Sequence, residues 1–425
     1  MGLESVINVS SANIKFGTGA TREVGFDMKE LGVTRVMLVT DKNLAKMAPV
    51  ETVLKSLRDE GLEVELYDNT RVEPTDASLA EAIEFAVKGK FDGYIGMGGG
   101  SSMDTAKVAN LYATYPADFL DYVNAPIGKA IPVPGPVKPL ACIPTTAGTG
   151  SETTGVAIFD IVEMHAKTGI ASRAIRPILG IVDPENTRTL PAMAAACTGF
   201  DVLVHALESY TALPYNQREA PENPRLRPTY QGSNPISDIW AARAIEIVSK
   251  NIIRVIEDPG DDEARSQMIM AATMAGIGFG NAGVHLAHGM SYPVSGMVRD
   301  YSPDGYTVGH PIIPHGMSVI LNAPAVFRFT AVANPERHLE AARLMGMNTS
   351  NAARDNAGEI LVSGIIDLMK KTGIPNGLAA VGYTEADADR LVEGTLPQQR
   401  VTGLSPRPFS VDDLRNMFLD SMTCW

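Results

Sequence analysis

Apolar and polar positions alternate in two different ways along the chain, and the change falls near residue 190. Before it, short apolar runs such as 36–39, 64–67, 93–97 and 140–143 are separated by stretches of helical character. This alternation is typical of a parallel sheet with helices on both faces, because parallel strands need a crossover between them. We predict an α/β domain over residues 1–189.

After Pro191 the strand signals fade, and long helical patterns follow at 241–255, 264–275 and 352–371. We therefore predict an all-helical second domain over residues 190–425. The predicted fold class is α/β plus all-α, with a Rossmann-like parallel-sheet domain followed by a helical one.

The composition is that of a globular protein, with 425 residues, 45% hydrophobic positions and a net charge of −13. The absence of a basic cluster argues against a nucleic-acid partner, and no apolar run approaches the roughly 18 residues that a membrane span needs. The N-terminus shows no signal peptide or arginine-rich transit segment, so we expect a cytoplasmic location. Cys142, Cys197 and Cys424 are widely spaced and odd in number, which indicates free thiols in a reducing compartment.

A glycine-rich turn stands between a predicted strand and a predicted helix. Gly98, Gly99 and Gly100 are followed directly by Ser101 and Ser102. Such a turn offers backbone N–H groups to a phosphate, and glycine is needed where a Cβ would block a diphosphate. The serines can cap the helix or add hydroxyl donors. A plain tight turn is the alternative, but three adjacent glycines favour a phosphate cradle.

Two further segments are expected beside the same ligand. Asp41 ends an apolar run and can bind a ribose diol, which favours NAD over NADP. The alternative for Asp41 is a helix cap near Asn43. The loop 144–152 is rich in threonine and glycine and follows a predicted strand, where open α/β sheets bind ligands.

Four side chains of the helical part form a candidate metal site. Asp201 and His205 are four residues apart, which places both on one face of a helix, and His288 and His315 each precede a glycine. Five of the seven histidines fall between positions 205 and 315. One carboxylate and three imidazoles suit iron or zinc, and an open ligand position allows Lewis-acid chemistry. Capping, surface and loop roles are the alternatives for these residues.

Taken in order, these motifs resemble the signatures of the iron-containing (group III) alcohol dehydrogenase superfamily. The resemblance implies a dehydroquinate synthase-like pair of domains, NAD, and a divalent ion, for which Fe²⁺ is expected and Zn²⁺ is the alternative. It implies metal binding by Asp201, His205, His288 and His315. The expected cofactor-binding residues are Asp41, Gly98, Gly99, Gly100, Ser101, Ser102, Asp104, Thr145, Thr146, Thr149 and Lys167.

Within that superfamily the chain is most similar to hydroxyacid-oxoacid transhydrogenases, over residues 199–210, 230–240, 276–285 and 394–401. The implied activity passes hydride from a hydroxyacid such as 4-hydroxybutyrate to an oxoacid such as 2-oxoglutarate through a held nicotinamide. An alcohol or lactaldehyde dehydrogenase that releases NADH is the first alternative, and a dehydroquinate synthase-like lyase is the second. We expect small-molecule substrates and a homo-oligomer.

Other residues are candidates for a proton relay and for substrate recognition. Tyr292 stands four residues after His288, where many superfamily members have a histidine, and His285 stands three residues before it. Either can carry a proton between the alcohol and water, or simply pack beside the metal. In the polar insertion 214–234, one of Arg218, Arg225 and Arg227 is expected to bind a substrate carboxylate, with a solvated loop as the alternative.

Overall fold

The computed structural model describes residues 2–164, 166–306 and 308–425. Its contacts divide the chain into two compact units, Ser11–Leu190 and a second unit in which the segment up to Ser10 joins Pro191–Trp425.

The unit Ser11–Leu190 is built on a six-stranded sheet. Its strands are β1 (Asn13–Phe16), β2 (Arg35–Val39), β3 (Glu63–Tyr67), β4 (Gly93–Gly98), β5 (Leu140–Pro144) and β8 (Leu179–Val182). Their order in the sheet is β1-β8-β5-β4-β2-β3, and all of the pairings are parallel. A separate antiparallel hairpin joins β6 (Val156–Ile161) and β7 (Ala166–Ala171). The helices are α1 (Val24–Glu30), α2 (Ala48–Asp59), α3 (Asp76–Gly89) and α4 (Gly100–Thr114).

Strand β2 shows why both faces of the sheet are covered. Val36 and Leu38 point to the side where α1 and α2 pack, and Met37 and Val39 point to the side of α3 and α4. All four side chains are fully buried, as expected for a central strand of a parallel sheet. The predicted parallel-sheet domain is thus confirmed.

A buried ionic network ties α4 to the chain that follows β5. The Nζ of Lys107 donates hydrogen bonds to the Ser151 hydroxyl, the Val156 carbonyl at 2.8 Å and the Asp104 carboxylate at 3.2 Å. Asp104 also accepts from the Ser151 hydroxyl at 2.6 Å and from the backbone N–H of Ile158 at 2.9 Å. Because Lys107 is fully buried, this network fixes the loop against the helix.

The second unit is helical, which confirms the predicted class of the C-terminal part. Its helices are α5 (Ala192–Thr211), α6 (Pro235–Glu257), α7 (Asp262–Ala282), α8 (Leu286–Gly296), α9 (His315–Ala331), α10 (Pro335–Leu344), α11 (Ala357–Lys371), α12 (Ala388–Thr395), α13 (Gln399–Thr402) and α14 (Val411–Asp420). Helix α5 is almost wholly buried and packs against α6, α7 and α9.

Among the described residues no single helix is long and apolar enough to cross a membrane. Helices α7 and α8 pass the test of length and composition only as a pair, and that pair is bent by 106°.

Residues 2–10, which the sequence analysis assigned to the α/β domain, group with the helical unit instead. Glu4 forms an ion pair with Arg227 at 2.9 Å, and the backbone N–H of Asn8 donates to Gln231 at 2.8 Å. The N–H of Ser10 donates to Asn281 at 3.0 Å. These partners lie more than 200 positions away, so local sequence patterns do not reveal them.

We expect Lys107→Met to lower the free energy of unfolding by about 3 kcal/mol, because it leaves the largely buried Asp104 carboxylate without its cation. Denaturant unfolding measures the change. The control is Lys88→Met, which removes an exposed lysine paired with Glu84 one helical turn away, and its cost is expected to stay below about 0.5 kcal/mol. Equal effects of the two substitutions would contradict this account of the network.

Candidate active site

Four side chains of the helical unit converge on one point. Asp201 and His205 lie one turn apart on α5, His288 lies in the first turn of α8, and His315 is the first residue of α9. One ligand atom from each of the four lies within 4.8 Å of the others. Oδ1 of Asp201 is 3.6 Å from Nδ1 of His205, from Nε2 of His288 and from Nε2 of His315.

Close helix packing allows His315 to reach this point. A Cβ on Gly316 would lie 1.9 Å from the carbonyl oxygen of Cys197 and 2.9 Å from Cβ of Asp201. The start of α9 therefore touches the backbone of α5, and only glycine fits between them. The glycine after His315 is thus explained by close approach, and not by the loop role weighed as an alternative.

The polar atoms at the centre lack partners of their own. Oδ1 of Asp201, Nδ1 of His205 and Nε2 of His288 are buried and accept or donate no hydrogen bond within the described residues. Such atoms are costly to bury unless something binds them. Nitrogen and oxygen ligands about 2.1 Å from one ion lie roughly 3–4 Å apart, so the observed 3.6 Å separations fit a shared divalent cation.

Charges within the cluster set its protonation states. Burial alone raises the pKa of Asp201, but His205, His315 and His288 outweigh it and hold that pKa well below its usual range. Burial lowers the pKa of His205 to about 3, so its imidazole is neutral. Burial acts in the same direction on His288, but Glu208 and Asp201 raise its pKa to about 9.

Glu208 is a functional residue that sequence reasoning missed. It lies on α5, fully buried, and its Oε2 accepts a hydrogen bond from Nδ1 of His288 at 2.5 Å. Its Oε1 accepts from the backbone N–H of Ala287 at 2.6 Å. Because Nδ1 donates to Glu208, Nε2 of His288 is the atom left to face Asp201 and a metal ion. Its position seven residues after Asp201, on the same helix face, was the available signal.

The glycine turn and the threonine loop meet at the ends of β4 and β5. Gly98 pairs with Pro144, and the N–H of Thr145 donates to the carbonyl of Gly98 at 3.0 Å. A Cβ on Gly98, whose φ is +146°, would lie 2.6 Å from the Ser102 hydroxyl, and one on Gly100 would lie 2.8 Å from Thr149. Gly99 lies beside Thr146, whose side chain is 3.6 Å from the position of a Cβ there. The predicted residues of both segments therefore come together.

The first turn of α4 has the properties of a phosphate site. Gly99 is its N-cap, and no side chain caps the turn. The expected capping by Ser101 or Ser102 does not occur, and the Ser101 hydroxyl instead accepts from the N–H of Glu73 at 3.2 Å. The uncapped N–H groups of α4 suit an anionic ligand.

Three other predicted cofactor residues have protein partners. Oδ1 of Asp41 accepts from the N–H of Asn43 at 2.9 Å and of Leu44 at 3.0 Å, which is the capping role weighed as its alternative. Both oxygens of Asp104 are bonded to protein, so it shapes the loop. Lys167 is buried on β7 and pairs with Glu73 at 2.6 Å and with Asp160 at 3.2 Å. Contact of these three with a cofactor stays a prediction.

The two candidates for a proton relay lie in different surroundings. His285 is fully buried, with Nε2 3.1 Å from the Thr211 hydroxyl and Nδ1 3.0 Å from Oε1 of Glu208. It therefore stands behind Glu208, without direct access to solvent. The ring of Tyr292 is 6.3 Å from that of His315, so Tyr292 lies beside the metal ligands.

Two arginines of the polar insertion have partners within the protein, and the third is exposed. Arg227 pairs with Glu4, and Nη1 of Arg218 donates to the carbonyl of Tyr230 at 2.8 Å. Arg225 is exposed.

The three cysteines are buried and free, as expected for residues that pack in the core. Burial raises the pKa of the Cys142 thiol and that of the Cys197 thiol to about 12.

A parallel-sheet unit with a phosphate-type turn, followed by a helical unit with a one-carboxylate, three-imidazole centre, defines a metal-dependent oxidoreductase. The chain belongs to the iron-containing alcohol dehydrogenase family. The family model for iron-containing alcohol dehydrogenases matches residues 11–184, and the model for the C-terminal part of the same family matches residues 229–422. The predicted family and enzyme class are confirmed. Membership of a dehydrogenase family does not support the alternative of a dehydroquinate synthase-like lyase.

Known relatives cover nearly the whole chain. It is 56% identical to the mitochondrial hydroxyacid-oxoacid transhydrogenase of Bos taurus, over 97% of this chain and 89% of that protein. The crystal structure of a 1,3-propanediol oxidoreductase superimposes with a TM-score of 0.86 at 27% identity, over 98% of this chain and 100% of that one. Sulfoacetaldehyde reductase from Bifidobacterium kashiwanohense, solved in complex with NAD⁺, gives 0.80 at 25% identity, over 98% of each chain.

The expectation of a cytoplasmic location is wrong. The transhydrogenases of Bos taurus and Homo sapiens, both 56% identical to this chain, are named as mitochondrial enzymes. These names point to mitochondria and not to the cytoplasm.

We expect Glu208→Gln to weaken metal binding by about 10- to 100-fold. A neutral amide holds the imidazole of His288 in its orientation less firmly than the charged carboxylate does. Competition with a chromophoric chelator measures the dissociation constant. His310→Gln is the control, since Nδ1 of the partly exposed His310 lies 2.9 Å from the carbonyl oxygen of the neighbouring Pro311, and His310 is not one of the four ligands. Unchanged affinity in Glu208→Gln would show that the 2.5 Å contact has no such role.

Metal binding is expected to release a proton from His288. Below its pKa of about 9 the metal-free ring is protonated, and it must lose the Nε2 proton to become a ligand. Asp201 and His205 are already deprotonated and contribute none. The contribution of His288 should fall from almost one proton per ion at pH 7.5 to about a quarter at pH 9.5. Calorimetry in buffers of different ionisation enthalpy measures it, and a release that does not fall over this range would refute the assignment.

Proposed function

We propose that the protein transfers hydride from a hydroxyacid of the 4-hydroxybutyrate type to an oxoacid of the 2-oxoglutarate type. In this proposal one nicotinamide, NAD⁺ or NADH, stays in the site through both half-reactions. The bound ion is Fe²⁺, in keeping with the name of the family, and Zn²⁺ is the competitor.

The convergence of Asp201, His205, His288 and His315 carries the proposal. Among the described residues, one buried ligand atom of each of the first three has no hydrogen-bond partner. The 56% identity to hydroxyacid-oxoacid transhydrogenase supports the substrate pair. The uncapped first turn of α4 supports a dinucleotide, and so does the NAD⁺ complex of sulfoacetaldehyde reductase.

The residues of the chain divide the work. Asp201 supplies one negative charge to the ion site, and Glu208 keeps Nε2 of His288 directed at it. The N–H groups at the start of α4 hold the dinucleotide phosphates, and the Asp104–Lys107 network keeps the adjoining loop in place. When bound, the ion supplies Lewis acidity to the substrate oxygen, and the nicotinamide accepts and returns the hydride.

Two further expectations belong to the same proposal. Tyr292, whose ring lies beside that of His315, is the proposed proton carrier, because His285 faces Glu208 and not the ion site. The protein acts on small molecules and assembles as a homo-oligomer.

Isotope transfer tests the proposal directly. Purified protein is given 4-hydroxybutyrate deuterated at C4 together with 2-oxoglutarate, without added NAD. We expect deuterium at C2 of the 2-hydroxyglutarate formed, with no NADH in solution, and a His205→Ala variant lacking metal should give none. A strict need for added NAD, with accumulation of NADH, would instead identify an ordinary dehydrogenase. Elemental analysis of the active protein decides between iron and zinc.

A further inference from the structure

Arg400, on the short helix α13, is a cation without a matching acid. The residue is partly exposed, but its Nη1 is buried and has no hydrogen-bond partner among the described residues. Among the described residues, the ion pairs pass from Lys371 to Arg415 without including Arg400, and no carboxylate acts on its guanidinium. Burying a guanidinium nitrogen in this way is costly unless an anion binds there.

Two series of side-chain contacts connect Arg400 with the candidate metal ligands. Its guanidinium carbon is 4.8 Å from the centre of the Tyr230 ring, which is 6.4 Å from Phe279. Phe279 stacks on His205 with ring centres 3.9 Å apart. The chain of ring contacts therefore ends on a metal ligand.

Tyr292 makes the second connection. Its hydroxyl interacts with Arg400, and its ring lies 6.3 Å from that of His315. Helices α13 and α8 also touch directly, since a Cβ on Gly289 would lie 2.4 Å from Cγ2 of Thr402. Arg400 thus lies beside the candidate metal centre, within the helical unit.

Burial works to lower the pKa of Arg400, but the Tyr230 and Tyr292 hydroxyls outweigh it, so the guanidinium keeps its charge. Both of these partners are hydroxyl groups and not carboxylates, so no acid of the described residues pairs with the guanidinium. A guanidinium presents two parallel N–H donors that match a carboxylate. Arg218 and Arg227, the earlier candidates, already have protein partners.

We propose that Arg400 binds the carboxylate of the hydroxyacid and oxoacid substrates and so separates them from plain alcohols. This inference rests on the proposed function, because only a substrate with a carboxylate gives Arg400 its missing partner. Arg400 is thus a specificity-determining residue, while the metal centre acts on the hydroxyl or carbonyl end of the same molecule.

The test compares 4-hydroxybutyrate with 1-butanol, which has the same carbon chain but no carboxylate. We expect Arg400→Gln to lower kcat/KM for 4-hydroxybutyrate by about 100-fold, mainly through KM, and to change that for 1-butanol by less than about threefold. Arg400→Lys keeps the charge but loses the fork, so its loss is expected to be about tenfold. Equal losses on both substrates would overturn the proposal.

A matched control and a binding measurement complete the design. Arg407→Gln removes another arginine stacked on an aromatic ring, 4.1 Å from Phe329, and should affect both substrates alike. Glutarate, a dicarboxylate that cannot react, is titrated into the wild type and Arg400→Gln by calorimetry. An affinity about 100-fold lower in the variant supports the carboxylate site even if the transhydrogenase reaction itself fails, and unchanged affinity refutes it.

Discussion

The buried carboxylate of Asp201 imposes the main constraint on the helical unit. Three imidazoles surround it at 3.6 Å, and none of these separations is short enough for a hydrogen bond. Each unpartnered polar atom at the centre costs on the order of 1–3 kcal/mol. The packing of α5, α8 and α9 maintains this arrangement. The unfavourable free energy of burying these polar atoms remains in the folded protein until a cation binds and offsets it. Metal binding and the stability of this unit are therefore coupled.

Two glycines show how tightly the arrangement is built. Gly316 brings α9 against the backbone of α5, and Gly289 brings α13 against α8. Each glycine directly follows a histidine of the centre, so the same contact that positions a metal ligand also joins two helices. For Gly289 the second helix carries Arg400. The position of the proposed carboxylate site is thus fixed by the same packing that positions His288.

Much of this organisation could be predicted from the sequence, because it depends on local periodicity. The apolar run at Val36–Val39 marks a buried strand, and the four-residue spacing of Asp201 and His205 marks one helix face. Pairings between residues far apart in the chain could not be predicted from local periodicity, and the only hint for Glu208 was its place on the same helix face as Asp201. The union of residues 2–10 with the helical unit and the bond between Glu208 and His288, 80 positions apart, depend on tertiary structure. The lack of an acid near Arg400 is likewise visible only once the chain has folded.

Signature motifs therefore contain two kinds of residue that sequence alone does not separate. Asp104 lies within the glycine-rich motif, yet its oxygens bond to Ser151 and Ile158 and hold the neighbouring loop. Glu208 follows the first two metal ligands, yet it acts through His288. In both cases the two carboxylate oxygens accept hydrogen bonds from the protein. The acid therefore positions neighbouring residues of a site, and other atoms line that site. Arg400 is the opposite case, because no carboxylate of the described residues pairs with its guanidinium. An unpaired positive charge near a reactive centre indicates a site for an anionic ligand.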